Sequence, residues 1–255
     1  MSLDIWTQCG GLSRVQPIGI AAWRVVEAQH IVSTRRLVDT LEEQALLEDI
    51  VDAVKPPRPL GPKFEGLHFL LSTPFRHPPL RHGSRFGLPT DRGLWYGAKR
   101  IETSLAEKAY QQFLFTAGTS AKLENLSCFW SAFQADVKTQ RGVNLAADAF
   151  SIFQSEISSP SSYLATQRLG SDMRAAGVEV FTFSSARCPQ KGMALGLIEP
   201  AFADPNPLGA SQTWASILTG DACEVGQVNA TVSKVLVFKR SGFEVDGALP
   251  TPGAN

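Results

Sequence analysis

Between residues 18 and 54, apolar positions such as Ile31, Leu37, Leu41, Leu46, Leu47, Ile50 and Val54 recur at three- and four-residue steps. That spacing predicts an amphipathic helical arm, with Ser33 or Thr34 capping a second helix that starts near Arg35. The segment KPPRPLGPK (55–63) ends the pattern, because its four prolines remove backbone donors and fix φ. The predicted division is a helical N-terminal extension over 1–57 and a larger domain over 64–245.

Beyond this linker the pattern changes. GLHFLLS (66–72) and GLWYGA (93–98) read as strands, separated by a stretch too rich in Pro, Gly and Arg for either regular element. From Thr103, a candidate N-cap, to about Phe115, the residues Leu105, Ala106, Ala109, Tyr110 and Phe113 line one side of a predicted helix. Residues 125–137 predict one or two strands, and Ser162–Ala176 a helix that stops at Gly177. Strands follow at 178–184, 193–199, 212–218 and 231–239, before a tail, GALPTPGAN, expected to be disordered. The sum is an α+β domain: a mixed or antiparallel sheet core, flanking helices and the helical arm.

Composition narrows the function classes. Lys plus Arg and Asp plus Glu each number 24, so the formal net charge is zero, which argues against a partner held through a basic surface, such as nucleic acid. No basic stretch followed by an apolar one opens the chain, and no segment approaches the roughly 20 apolar residues of a membrane helix. A cytoplasmic protein without membrane contact is expected. Cys9, Cys128, Cys188 and Cys223 are scattered without a CxxC pair, and His30, His68, His77 and His82 show no metal-ligand spacing. No metal role is expected.

Three places carry candidate chemistry. Arg76, Arg81, Arg85 and Arg92 crowd one loop beside Gly83 and Gly87. Guanidinium forks and close-approaching backbone suit a pyrophosphate, although solvated arginines paired with Asp91 or Glu102 would give the same composition. Trp95 and Tyr96 are adjacent in a predicted strand, so one faces the core while the other can line a cleft. Glu107, early in the next helix, is either a first-turn carboxylate favoured by the helix dipole or an inward-facing functional anion. Ser184 and Ser185 end an apolar strand, without a GxSxG elbow and without a later histidine, so a serine-hydrolase triad is poorly supported. Ser185 reads as a hydrogen-bonding residue or a strand-end cap.

Taken together, GSRFG (83–87), LWYGAKRIETSLAE (94–107) and FTFSSAR…GMALGLIEP (181–200) resemble the RES domain, a family whose members include toxins of Res–Xre toxin–antitoxin modules. Arg85 to Tyr96 and Tyr96 to Glu107 are both eleven residues, the spacing of that family. The family has a further arginine upstream; Arg76 is the nearer counterpart and Arg24 the alternative. The resemblance implies an ADP-ribosyltransferase-like split sheet with NAD⁺ in a cleft. It also implies cleavage of the nicotinamide–ribose bond, with inorganic phosphate or water as acceptor. Transfer of ADP-ribose to a macromolecule, or NAD⁺ binding without turnover, are the alternatives.

Glu107 would then steady the oxocarbenium-like ribose, Arg85 would hold the pyrophosphate or attacking phosphate, Tyr96 would stack on the nicotinamide or its ribose, and Ser185 would orient a polar edge. Arg76 would join Arg85, Tyr96 and Ser185 in contacting NAD⁺. The partners implied are a cognate Xre-like antitoxin and a second copy of the chain in a homodimer.

Overall fold

The computed structural model describes residues 4–28, 38–57, 59–77, 79, 81–120, 125–230 and 234–251. Eight strands form one mixed sheet: β1 (Gln16–Glu27), β2 (Trp95–Ala98), β3 (Leu126–Asn144), β4 (Val180–Ser184), β5 (Met193–Leu197), β6 (Leu208–Leu218), β7 (Ala222–Gln227) and β8 (Val235–Lys239). Their order is β1-β2-β5-β4-β3-β6-β7-β8, with β1 also paired to β3. Among the described residues, only the β3–β4 pairing is parallel. The helices are α1 (Ile5–Gln8), α2 (Leu41–Ala53), α3 (Phe69–Arg76), α4 (Ile101–Ala117), α5 (Gln154–Ile157) and α6 (Leu164–Ala175). Among the described residues, no helix is long and apolar enough to cross a membrane.

The extra β1–β3 pairing closes β1, β2, β5, β4 and β3 into a ring. One cluster fills its inside with residues from all five strands: Ala22, Trp95, Leu195, Leu197, Val180, Phe133, Ala135 and Val137. Leu71 and Phe75, one turn apart on α3, plug the same cluster. On the other face of β4, Phe181 and Phe183 pack with Phe86 and with Leu169 and Met173 of α6. A third cluster sets Leu105, Ala109 and Phe113 of α4 against Trp130 and Trp214.

The stretch 16–27 is therefore not part of a helical arm, whereas α2 falls within the stretch predicted to be helical. Residues 16–27 form β1, which matches β3 from Trp23↔Gln134 to Glu27↔Trp130 and back to Gln16↔Gly142, so the segment is part of the core sheet. A period of two was present in Ile18, Ile20 and Ala22, whose side chains turn toward the ring interior. The run AAWRVV, apolar on both sides of Arg24, masked it, since such runs fit a buried strand as well as a helix. The predicted cap at Ser33 or Thr34 and start near Arg35 lie outside the described residues. The helix observed, α2, opens at a capping box: Thr40 Oγ1 accepts from Glu43 N at 3.1 Å, while Glu43 accepts from the Asp39 and Thr40 amides.

Other expectations change for local reasons. GLHFLLS is not a strand; His68 Nδ1 accepts from Leu70 N at 3.2 Å and caps α3, and Pro74 forfeits one bond only in the last turn. Thr103 is not the N-cap of α4; Arg100 holds that position, and Thr103 sits buried one turn in. Residues 126–144 form one long strand, and β7 was not anticipated. In the described part of the tail, Leu249 packs on the third cluster and Pro250 accepts a hydrogen bond from the Tyr110 hydroxyl at 2.5 Å, while residues 252–255 lie outside the described residues. Strands β2, β4 and β5, and the stop of α6 before Gly177 (φ +69°), fall where the sequence predicts.

Because β1 is a wall of the ring, a fragment beginning at residue 56 is expected to lack cooperative unfolding and near-ultraviolet circular dichroism. A fragment with native near-ultraviolet bands and a sharp melt would show instead that the first 55 residues are an appendage.

Candidate active site

The ring is nearly open at one seam. β1 meets β2 only at Trp23↔Ala98, and beside this point lies a cavity of about 460 Å³. Arg24 and Val25 of β1, Tyr96 of β2, and Glu107 and Lys108 of α4 line it, together with Arg85 and Tyr163. Its size falls in the range of small-molecule sites.

Strand alternation sends Trp95 into the ring interior and Tyr96 to the cavity, as the adjacent aromatic pair predicts. The Tyr96 hydroxyl accepts from Phe86 N at 3.2 Å and lies 3.1 Å from Ser84 Oγ. Burial pushes it up to about 12, so it is a neutral hydroxyl throughout the working range of an enzyme.

Arg85 sits in a tight turn between Ser84 and Gly87, closed by the Ser84 amide donating to the Gly87 carbonyl at 2.8 Å. Gly83 has φ +76°, and a Cβ there would stand 2.3 Å from the Gly87 carbonyl oxygen, so the turn needs glycine. Gln167 of α6 fixes it from outside, its Nε2 donating to the carbonyls of His82 (2.8 Å) and Ser84 (3.1 Å). Arg85 is 8% exposed; it donates to the Ser159 carbonyl at 2.7 Å and stacks on Tyr163 at 4.7 Å.

Glu107 points inward from α4. Ser185 Oγ donates to Glu107 Oε1 at 2.5 Å and accepts from the amides of Arg187 (3.1 Å) and Cys188 (3.0 Å). Its single proton is thereby directed at the carboxylate. Ser185 is 1% exposed and stands behind Glu107, not on the cavity wall. Four of the sequence-derived residues thus converge: Glu107, Arg85 and Tyr96 on the cavity and Ser185 beneath it.

The remaining arginines of the loop do not converge. Arg76 ends α3 and donates from Nε to the Pro56 carbonyl, away from the cavity wall. Arg92 pairs with Glu199 and stacks on Phe64 at 5.2 Å, and Arg81 is exposed. The upstream arginine at the cavity is Arg24, whose Nη1 donates to the Tyr96 carbonyl at 2.6 Å and whose guanidinium lies 5.4 Å over Trp95. Burial pulls it down to about 10, still cationic at neutral pH. Tyr163, Tyr110 and Lys108 were missed; Lys108 had a signal, as it directly follows Glu107, whereas Tyr163 has none short of the fold.

A family model described as RES domain matches residues 56–217, well over half of the chain. The chain belongs to the RES domain family. Among solved structures it matches the M. tuberculosis MbcT–MbcA toxin–antitoxin complex at 13% identity, over 85% of this chain and 92% of that one, with a TM-score of 0.44. No curated protein matches it. The RES domain match contains Arg85, Tyr96, Glu107 and Ser185, whereas β1 with Arg24 lies ahead of it and completes the cavity from outside.

Ser185→Ala would strip Glu107 of its hydrogen bond and leave two buried amides without an acceptor. Denaturant unfolding is expected to show a loss of about 1–3 kcal/mol; a loss below about 0.5 kcal/mol would mean that water or another group replaces the hydroxyl without cost.

Proposed function

We propose that this RES domain protein is an NAD⁺-degrading toxin that breaks the nicotinamide–ribose bond, as an NAD⁺ phosphorylase or glycohydrolase, within a toxin–antitoxin module. The observation that carries the reading is the Glu107 carboxylate, oriented by Ser185 inside a cavity whose wall also holds Arg24, Arg85 and Tyr96. An ADP-ribosyltransferase-like split core fits the seam between β1 and β2.

The chemistry follows from charge. As the C1′–N bond breaks, its electron pair stays with the pyridine nitrogen, nicotinamide leaves neutral, and positive charge develops on the ribose. A fixed carboxylate stabilises that charge more in the transition state than in the ground state. Arg24 and Arg85 supply cations suited to the pyrophosphate, and the neutral Tyr96 ring offers a stacking face. Apolar Val25, Leu114 and Phe183 complete a wall that limits water around the developing cation. Phosphate or water then adds to C1′, giving phosphorylated ADP-ribose or ADP-ribose. A protein that removes a central cofactor requires restraint, so a cognate Xre-like antitoxin that covers the cavity belongs to this reading, as does a cytoplasmic location where NAD⁺ is found.

Glu107→Gln keeps the shape and removes the charge. It is expected to lower nicotinamide release from NAD⁺ by at least about 100-fold while the melting temperature stays within a few degrees. Full activity in the folded variant would overturn the mechanism. Omitting phosphate from the wild-type assay separates the acceptors: loss of turnover identifies the phosphorylase, unchanged turnover the glycohydrolase, and label found only on a macromolecule would replace both with a transferase.

A further inference from the structure

Arg85 is gripped twice by the first turn of one helix. Tyr163 is the N-cap residue of α6, and Gln167 N donates to the Tyr163 carbonyl at 2.8 Å, so the two side chains rise one turn apart on the same face. The Arg85 guanidinium lies 4.7 Å from the centre of the Tyr163 ring, and the Gln167 amide reaches the backbone of the turn that carries Arg85. Just ahead of the helix, the Ser159 carbonyl accepts from Arg85 Nη1 at 2.7 Å. The head and the backbone of one arginine are thus referred to a single element.

The backbone contact is built for a donor. Gln167 Nε2 spreads its two hydrogens over three carbonyls, those of His82 at 2.8 Å, Ser84 at 3.1 Å and Gly87 at 3.4 Å. A carboxylate would set oxygen against oxygen here, and a thioether would offer no hydrogen at all. Farther along the same face, Gly170 lets the helix touch the turn, because a Cβ there would stand 2.0 Å from the Phe86 carbonyl oxygen. Arg174, one turn on, faces Asp91 at 3.9 Å and donates to the Arg92 carbonyl at 3.4 Å. Residues 167, 170 and 174 form one ridge that braces the loop from His82 to Arg92.

We infer that Gln167 is a positioning residue that sets the direction of the Arg85 guanidinium, with the first turn of α6 as its reference. The inference deepens the proposed function and rests on its reading of Arg85 as a pyrophosphate ligand. Tyr96 supports the turn from β2, where its hydroxyl accepts from Phe86 N and meets Ser84 Oγ. Both contacts converge on one oxygen, and a single point of support leaves the turn free to pivot. Gln167 removes the pivot, because its carbonyls lie on both sides of Arg85 in the chain. A guanidinium fork meets two phosphate oxygens at once only when its plane is held, so a swing of the turn weakens such binding more at an arginine than at a lysine.

The test reads Arg85 itself. In ¹⁵N-labelled protein the Arg85 Nε–H resonance, identified by its loss in Arg85→Lys, is compared in wild type, Tyr163→Leu, Gln167→Met and Gln167→Glu. Tyr163→Leu gives its position without the aromatic ring. Both Gln167 variants keep the length of the side chain and remove its donors. In each the resonance is expected to move toward the Tyr163→Leu position and its heteronuclear NOE to fall. A purely structural Gln167 would lower the melting temperature and leave the resonance in place, and an unmoved resonance in a folded variant overturns the inference. Should one variant fail to fold, the other carries the same two outcomes. Titration with ADP-ribose tests the reading beneath: its Kd is expected to rise at least about tenfold in Gln167→Met. A wild type that binds no ADP-ribose, or a variant with Arg85 displaced and affinity unchanged, would sink the pyrophosphate reading and leave the Arg85 measurement standing.

Discussion

The architecture depends on one long strand with two occupied edges. β3 carries β1 along one edge and, along the other, β6 near its start and β4 near its end. Between those two, the Val137↔Phe202 bridge continues the edge. Pairing along both edges takes up most of the backbone donors and acceptors of this nineteen-residue strand, and it joins β1 and β4 to the same ring. The ring brings Arg24, from the start of the chain, to the carbonyl of Tyr96 more than seventy residues later.

Around that ring the site is assembled from rigid parts. Tyr96 is fixed by strand alternation over a buried tryptophan, and Arg85 by a glycine-dependent turn held from α6. Glu107 is held by a serine whose own lone pairs are filled by two loop amides. Tyr96, Arg85 and Glu107 are thus each backed by a second group that sets their direction. Such preorganisation matters for a reaction in which charge appears on the substrate, because dipoles and charges already aligned need not reorganise as the bond breaks.

Two buried arginines, each stacked on a tyrosine, grip the same short stretch after α5: Arg85 reaches the Ser159 carbonyl and Arg187 the Pro160 carbonyl. Arginine suits this place because its planar fork can stack and donate at once, and because it keeps its charge when buried. The stretch leads into Tyr163 on the cavity wall, so the two cations tie the wall to the floor beneath Glu107.

The sequence by itself determined local placement: strand alternation sent Trp95 and Tyr96 to opposite faces, and an apolar strand ended at Ser184 and Ser185. From the residues alone, Arg85, Glu107 and Ser185 each kept a structural alternative; the resemblance to the RES domain, with its eleven-residue steps from Arg85 to Tyr96 to Glu107, singled them out. The α+β class was legible from local period and turn residues. Tertiary structure alone decided the rest. AAWRVV and GLHFLLS are mainly apolar stretches without a decisive period, so their state was set by what they pack against: β1 by pairing with β3, and α3 by burying Leu71 and Phe75 in the ring. The choice of Arg24 over Arg76, and the placing of Arg187 against Tyr110, join residues 72 and 77 positions apart in the chain. Contacts at such separation leave no periodic trace in a single sequence; they exist only once the sheet has closed.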